Sequence, residues 1–463
     1  MVFSSLAFLG VFLPLFLAAY YLTCRYARPY RNAVVFLFSV GFYGYGTIVS
    51  GTPLYLIVIL VSVLFNYYVG VAIHKCGVSK KDRSAQKRFV LIIGLVVDFG
   101  ILFVFKYIDF VLGTDLGLIL PIGISFYTFQ IASYVIDVYR DPSLVEKSFV
   151  NLGAYIMMFP QLIAGPIVRF SEVRVALRKR RETLQGFLDG LKTFIIGLGF
   201  KVIIANQLSN IWTAADTIGY SSISAGMAWL AMIGYSFQLF FDFCGYSYMA
   251  IGLGRMMGFE FPQNFNSPYV SVSMTEFWRR WHMTLGAWFR EYVYIPLGGN
   301  RKGPARTTLN LFVVWMLTGI WHGADWNFVI WGAVLFLIIS VEKQGLQGFM
   351  ESHRAVGHVY MILLIPLQWM VFAISDLGQL GTFYGRLIGI GGENVSSGDW
   401  LLQLKDFWWL LIIAAVLSTE LPGRLYQRYK DKWFIWIPLA GILGVAVYCL
   451  IMGMNDPFMY FRF

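Results

Sequence analysis

The run from Leu54 to Ile73 carries not one charged side chain, and a chain made of such runs has few ways to fold. Largely apolar stretches recur at Leu6–Thr23, Ala33–Ile48, Phe89–Val111, Leu118–Val138, Trp229–Cys244, Leu309–Trp321, Phe328–Val341, Met361–Ile374, Trp408–Leu417 and Phe434–Met452, and only the third, fourth and fifth of these contain charged residues. A helix needs about 20 apolar residues to cross the hydrocarbon of a bilayer. Lipid offers nothing to unpaired backbone groups, so runs of this kind must be helices. Only 13% of the 463 residues are charged and 58% are hydrophobic, whereas soluble domains are about 25% charged. The expectation is an all-α polytopic membrane protein of roughly ten to twelve helical elements, some crossing only partly because their runs are short or broken by Gly and Pro. With no long linker, low-complexity region or internal repeat, residues 1–463 read as one membrane domain.

The net charge of +11 sits in short loops between apolar runs. That is the positive-inside pattern, and it argues against nucleic acid as a partner. Arg25–Arg31, Lys75–Arg88 and Arg169–Arg181 are the strongly basic loops, and all three should face the cytoplasm. The first two fit simple alternation with an extracytoplasmic N-terminus. The apolar start lacks a basic n-region and a small-residue cleavage site, so Leu6–Thr23 reads as a retained anchor. The third basic loop falls on the wrong side if Phe149–Ile167 crosses. Pro160, Gly165 and Pro166 in MMFPQLIAGPIV break helix there, so this segment is expected to enter and return, which requires a protein-lined interior.

Three stretches carry candidate chemistry. LTGIWHGADWNFVIWG, Leu317 to Gly332, sets a histidine and an aspartate three residues apart in an apolar run. A polar group in hydrocarbon needs a partner or a cavity, so His322 is a functional candidate, and imidazole suits general-base work near neutral pH. A histidine bridging two helices would look the same in sequence. Gly323 leaves room beside the ring for backbone or substrate, and Asp325 at i+3 is near enough to orient it.

The block from Asn264 to Gly303 reads as an amphipathic interfacial helix, capped at Ser273 or Thr275 and running to about residue 294. It presents Trp278, Trp281, Leu285, Trp288 and Tyr292 on one face and contains a second candidate, His282. Arg279 and Arg280, with Arg301 and Lys302 downstream, suit either lipid phosphate or an anionic donor headgroup. In the third stretch Asp242 lies inside an apolar run and needs a partner. Asp242, Asp325 and Asn300 are the polar candidates for a cavity wall. The five histidines and four cysteines show no ligand spacing, so no metal is expected, and no P-loop, GxSxG elbow or HExxH is present.

These blocks, with PIGISFYTFQIASYVIDVYR, FPQLIAGPIVRF, FDFCGYSYMAIGLGRMMGF and the closing DPFMYFRF, resemble the membrane-bound O-acyltransferase (MBOAT) family from end to end and in order. The likeness is to the branch of the alginate O-acetylation membrane proteins (AlgI), related to the DltB branch. It implies a ring of helices with re-entrant elements around a central tunnel or funnel, in a bacterial cytoplasmic membrane. It places the family's characteristic histidine at His322 and a second one at His282. It further implies no bound cofactor, an acyl thioester donor (acetyl-CoA or an acyl carrier), an extracytoplasmic polysaccharide acceptor, and a partner transferase of SGNH-hydrolase type. Two departures stand out: Cys244 where the branch often has serine, and Tyr248 where it often has aspartate. They bear on the acceptor more than on acyl transfer. The competing readings are D-alanyl transfer to teichoic acid, an acyl-donor transporter without chemistry, and a scaffold that tolerates substitution at both histidines.

Overall fold

The structure is a computed structural model that describes residues 2–391 and 395–453. The DPFMYFRF block and part of the Gly391–Ser397 loop lie outside the described residues. All regular structure among the described residues is helical. Nine of these helices are long and apolar enough to cross a membrane. The chain divides into two compact units, Met1–Phe194 with Tyr246–Pro262, and Ile195–Gly245 with Gln263–Phe463.

The first unit contains α1 (Phe8–Tyr26), α2 (Arg31–Val49), α3 (Tyr55–Gly77) and α4 (Ser84–Lys106), all of spanning length. Next comes α5 (Ile124–Arg140), where the expected Leu118–Val138 span becomes a 17-residue helix that starts only after Pro121 and Gly123. The chain then makes α6 (Phe149–Ile156), α7 (Phe159–Leu162), α8 (Phe170–Lys179) and α9 (Leu184–Gly199). Here the proline argument has a direct structural counterpart. Phe149–Ile167 forms no spanning helix: α6 has eight residues and α7 four, so α6 is about 12 Å long against the roughly 30 Å of a hydrocarbon core. Every residue from Leu152 to Val168 is buried. The backbone freed by the break is met by side chains. Ser39 Oγ accepts from Phe159 N at 3.1 Å, Tyr155 OH donates to Val168 O at 2.9 Å, and Gln161 Nε2 donates to Tyr155 O at 2.5 Å.

The second unit begins in the last turn of α9 and continues through a π-helical segment, Phe200–Ala205, into α10 (Asn206–Ile218) and most of α11 (Ala225–Met256). It then contains α12 (Met274–Arg280), α13 (Met283–Phe289), α14 (Pro304–His322), α15 (Trp326–Val341), α16 (Arg354–Ala373) and the apolar helices Asp399–Leu417 and Trp433–Ile451. The expected Leu309–Trp321 run lies in α14, which begins with the polar PARTT. The C-terminal end of α11 belongs to the first unit, where Gly252 lies against Gly190 of α9 so closely that a Cβ on either would meet the other's carbonyl oxygen at 2.5 Å. This is the small-residue packing by which membrane helices gain contact where no water drives them together.

Candidate active site

The hairpin of α14 and α15 positions the first histidine. Its α14 ends on His322, Gly323 follows in extended conformation, and Asp325 caps α15 by accepting from Trp326 N at 2.7 Å. Asp325 thus serves the helix start. The room expected beside Gly323 is filled by the Phe328 ring, into which any Cβ would project. The half-buried His322 imidazole meets Trp331 edge-on at 5.1 Å and 89° and Phe372 at 5.2 Å and 82°, with Trp321 at 4.9 Å.

A cavity of about 400 Å³ opens at this turn. Its wall includes Ser209 of α10, Gln238 of α11, Gly323, Asp325 and Asn327 of the hairpin, and Phe372 of α16. His322 does not itself line it; Gly323 and Phe372, its chain neighbour and its ring neighbour, do. Hydroxyl, amide and carboxylate groups on a wall that also carries the Trp212 indole suit a hydroxylated ligand. Of the three polar candidates, Asp325 lies on this wall, Asp242 is paired elsewhere, and Asn300 is exposed in a turn.

His282 shows why the expected long helix fails. Ser273 does cap it, its Oγ accepting from Glu276 N at 3.1 Å. The helix then breaks at Trp281–His282, and His282 takes a left-handed conformation with φ 42°. For a bulky residue that geometry is strained, and such strain clusters at functional sites. The single amphipathic face is therefore split, and Trp281, Leu285 and Trp288 are all buried.

The buried imidazole is held by Asn264. Asn264 Oδ1 accepts from Thr284 Oγ1 at 2.9 Å and Thr284 N at 3.3 Å, so the atom also 3.0 Å from His282 Nδ1 is an acceptor. Nδ1 must then carry the proton, which leaves Nε2 as the ring nitrogen with the lone pair. Nε2 is buried without a hydrogen-bond partner among the described residues. Burial holds the His282 pKa below the ordinary histidine value, so the ring is neutral near pH 7. Trp321 lies 6.1 Å from the His282 ring and 4.9 Å from that of His322, so one indole touches both imidazoles.

Glu342, fully buried just beyond α15, accepts from Met274 N at 2.6 Å, Thr275 N at 2.7 Å and Thr275 Oγ1 at 2.7 Å. A carboxylate at a helix start satisfies orphan amides and complements the dipole. Replacing Glu342 with alanine leaves those donors buried and unmet, at about 1–3 kcal/mol for each unsatisfied group. The expected outcome is a lower unfolding midpoint in detergent and weaker acyl transfer, because α12 leads into His282. Glu342→Gln, which keeps an acceptor, should fall between.

Asp242 finds its partner in Lys201, at 2.7 Å, with side-chain exposures of 3% and 1%. Lys201 also donates to Asn206 Oδ1 at 2.8 Å. The four basic candidates separate. Arg280 is matched by Glu276 at 2.9 Å and Glu420 at 3.1 Å. Arg279, Arg301 and Lys302 are exposed, with no acidic partner among the described residues. Sequence reasoning missed Lys201, Asn264 and Glu342. The one available signal was Asp242 inside an apolar run, which demanded a partner or a polar cavity without saying where.

Residues 144–375 match the family described as MBOAT, membrane-bound O-acyltransferase. A probable alginate O-acetylase AlgI of Pseudomonas putida is 39% identical, covering 93% of this chain and 89% of that protein. The peptidoglycan O-acetyltransferase of Helicobacter pylori is 29% identical across 100% of this chain and 98% of its own length. The teichoic acid D-alanyltransferase of Bacillus subtilis is 32% identical over 47% of this chain and 57% of its own. His282, His322 and the cavity all lie within the matched residues or among side chains they contribute. An all-helical chain with nine helices of spanning length among its described residues, matched in this way, belongs to the membrane-bound O-acyltransferase family and is a membrane O-acyltransferase.

Proposed function

We propose that the chain moves an acyl group, acetyl in the first instance, from a cytoplasmic thioester to hydroxyl groups of an extracytoplasmic polysaccharide, directly or through a partner of SGNH-hydrolase type. The observation that carries this reading is the polar cavity opening at the turn that bears His322. The relatives named for alginate and for peptidoglycan supply the acceptor class. The distribution of basic loops supports an N-terminus outside and a donor side at the cytoplasm.

In this mechanism the acceptor hydroxyl attacks the thioester carbonyl while His322 takes its proton. The carbon–sulfur bond breaks as the carbon–oxygen bond forms, and the imidazolium returns the proton to the departing thiolate. His282, neutral and with Nε2 available, positions the donor or passes the proton. Arg279, Arg301 and Lys302 offer exposed cations to donor phosphates, and Arg280 is held for the fold by its two carboxylates.

Membranes containing the protein, incubated with radiolabelled acetyl-CoA or with radiolabelled D-alanyl carrier protein, test the reading. Label should pass from acetyl-CoA into polysaccharide. Transfer from the D-alanyl carrier alone would move the chain to teichoic acid chemistry, and transfer from neither would remove the thioester mechanism.

A further inference from the structure

A second cavity, of about 620 Å³, lies in the first unit and does not belong to the chemistry above. It sits where α1 ends and α2 begins, against the C-terminal end of α8 and the loop that follows. Six cations line it: Arg28, Arg31, Arg178, Lys179, Arg180 and Arg181. No acidic side chain is in its wall, and two carboxylates behind it do the neutralising. Glu182 is shared by Arg28 at 3.0 Å, Arg31 at 2.9 Å and Arg180 at 3.6 Å, while Glu146 takes Arg178 at 3.1 Å. Positive charge therefore remains in excess.

Part of this cluster is fold. Arg31 Nη1 and Nη2 donate to the Arg180 and Arg178 carbonyls at 3.0 and 3.2 Å, satisfying carbonyls in the last turn and at the C-cap of α8. Arg180 Nε donates to Tyr20 OH and to Met257 O, each at 3.0 Å, and its Nη1 to Asn32 Oδ1 at 2.6 Å. The rest is not used up. The Arg180 side chain is 0% exposed, yet its Nη2 has no acceptor among the described residues. Lys179 and Arg181 are exposed on the same wall with no carboxylate among the described residues. That Arg180 guanidinium stacks 4.3 Å from the Phe259 ring centroid and is closed to the cavity, so the donors a ligand would meet are those of the exposed cations. Guanidinium forks match the paired oxygens of a phosphate.

We propose that this cavity is a binding site for a phosphate ester. It lies where the ends of two helices of spanning length meet, and basic pockets between transmembrane helices recognise phospholipid headgroups. A soluble phosphate ester has the same chemistry and would meet the same donors.

The full-length protein in detergent, titrated by native mass spectrometry, tests this. One arm uses phosphatidylglycerol against phosphatidylcholine; the other uses adenosine 3′,5′-bisphosphate. The wild type should retain phosphatidylglycerol over phosphatidylcholine. The double variant Lys179→Gln/Arg181→Gln, which alters only exposed side chains, should weaken that retention by roughly tenfold or more at an unchanged melting temperature. Retention of the bisphosphate alone, weakened in the same variant, supports the site and assigns it a soluble ligand. No preference for either anion, or equal retention by variant and wild type, overturns the proposal.

Discussion

Replacing His322 with alanine lowers acyl transfer by about 10²- to 10⁴-fold, the usual value of a positioned general base, and leaves the protein folded and inserted. The structure explains why the fold should tolerate the change. His322 is the last residue of α14, half-buried, and its ring contacts Trp331 and Phe372 by their edges. Those aromatic side chains are themselves anchored: Trp331 Nε1 donates to Gln368 Oε1 at 2.6 Å, and Asn327 Nδ2 donates to the carbonyls of Val371 and Phe372 at 3.2 and 3.1 Å. Removing the imidazole therefore takes away the proposed proton acceptor without dismantling the wall around it. Acylated product is measured in membranes alongside a melting curve of the purified variant. Full activity in the alanine variant would remove His322 from proton transfer and favour a scaffold.

The largest effect on stability is expected at Lys201 and Asp242. Both side chains are almost fully buried, so each charge depends on the other. Taking one away strands its partner in low dielectric, which costs about 3–5 kcal/mol. Lys201→Met and Asp242→Leu should each sharply reduce the folded yield. The double variant should recover much of the loss, because replacing both charges with apolar groups of similar volume is often neutral or stabilising by about 1–4 kcal/mol. A double-mutant cycle of unfolding midpoints in detergent measures this. Additive single losses would mean that the two groups do not depend on each other. Lys201 lies in the π-helical segment Phe200–Ala205, a local widening of the helix that recurs at functional positions. If the double variant is stable but inactive, the pair serves the reaction as well as the fold.

Much of the architecture was legible because lipid leaves the chain so little choice. Uncharged runs such as Leu54–Ile73 had to be helices, and α3 is one. Pro160 and Pro166 had to interrupt the segment that contains them, and α6 and α7 are short as a result. The Asn264–Gly303 block misled for a physical reason. Its tryptophans follow helical spacing, and nothing in local propensity reveals that His282 will adopt φ 42°. That break is held by a distant side chain, Asn264, through His282, Thr284 and the backbone. The same limit hid Lys201 from Asp242 and Glu342 from Met274. Each is a pairing between residues far apart in the chain, and periodicity carries no information about it. The candidate histidines themselves were visible, since imidazoles in apolar sequence are rare enough to ask about.

Sidedness tests the central claim most directly. The protein is reconstituted into sealed vesicles with alginate or peptidoglycan fragments, and any required partner, trapped inside, and radiolabelled acetyl-CoA is supplied only outside. If a single histidine-bearing site joins a donor and an acceptor that arrive from opposite faces, label appears in the enclosed saccharide with wild-type protein and is absent with His322→Ala. Label that forms only when both substrates share one compartment, or that enters the enclosed saccharide equally well without His322, would contradict it.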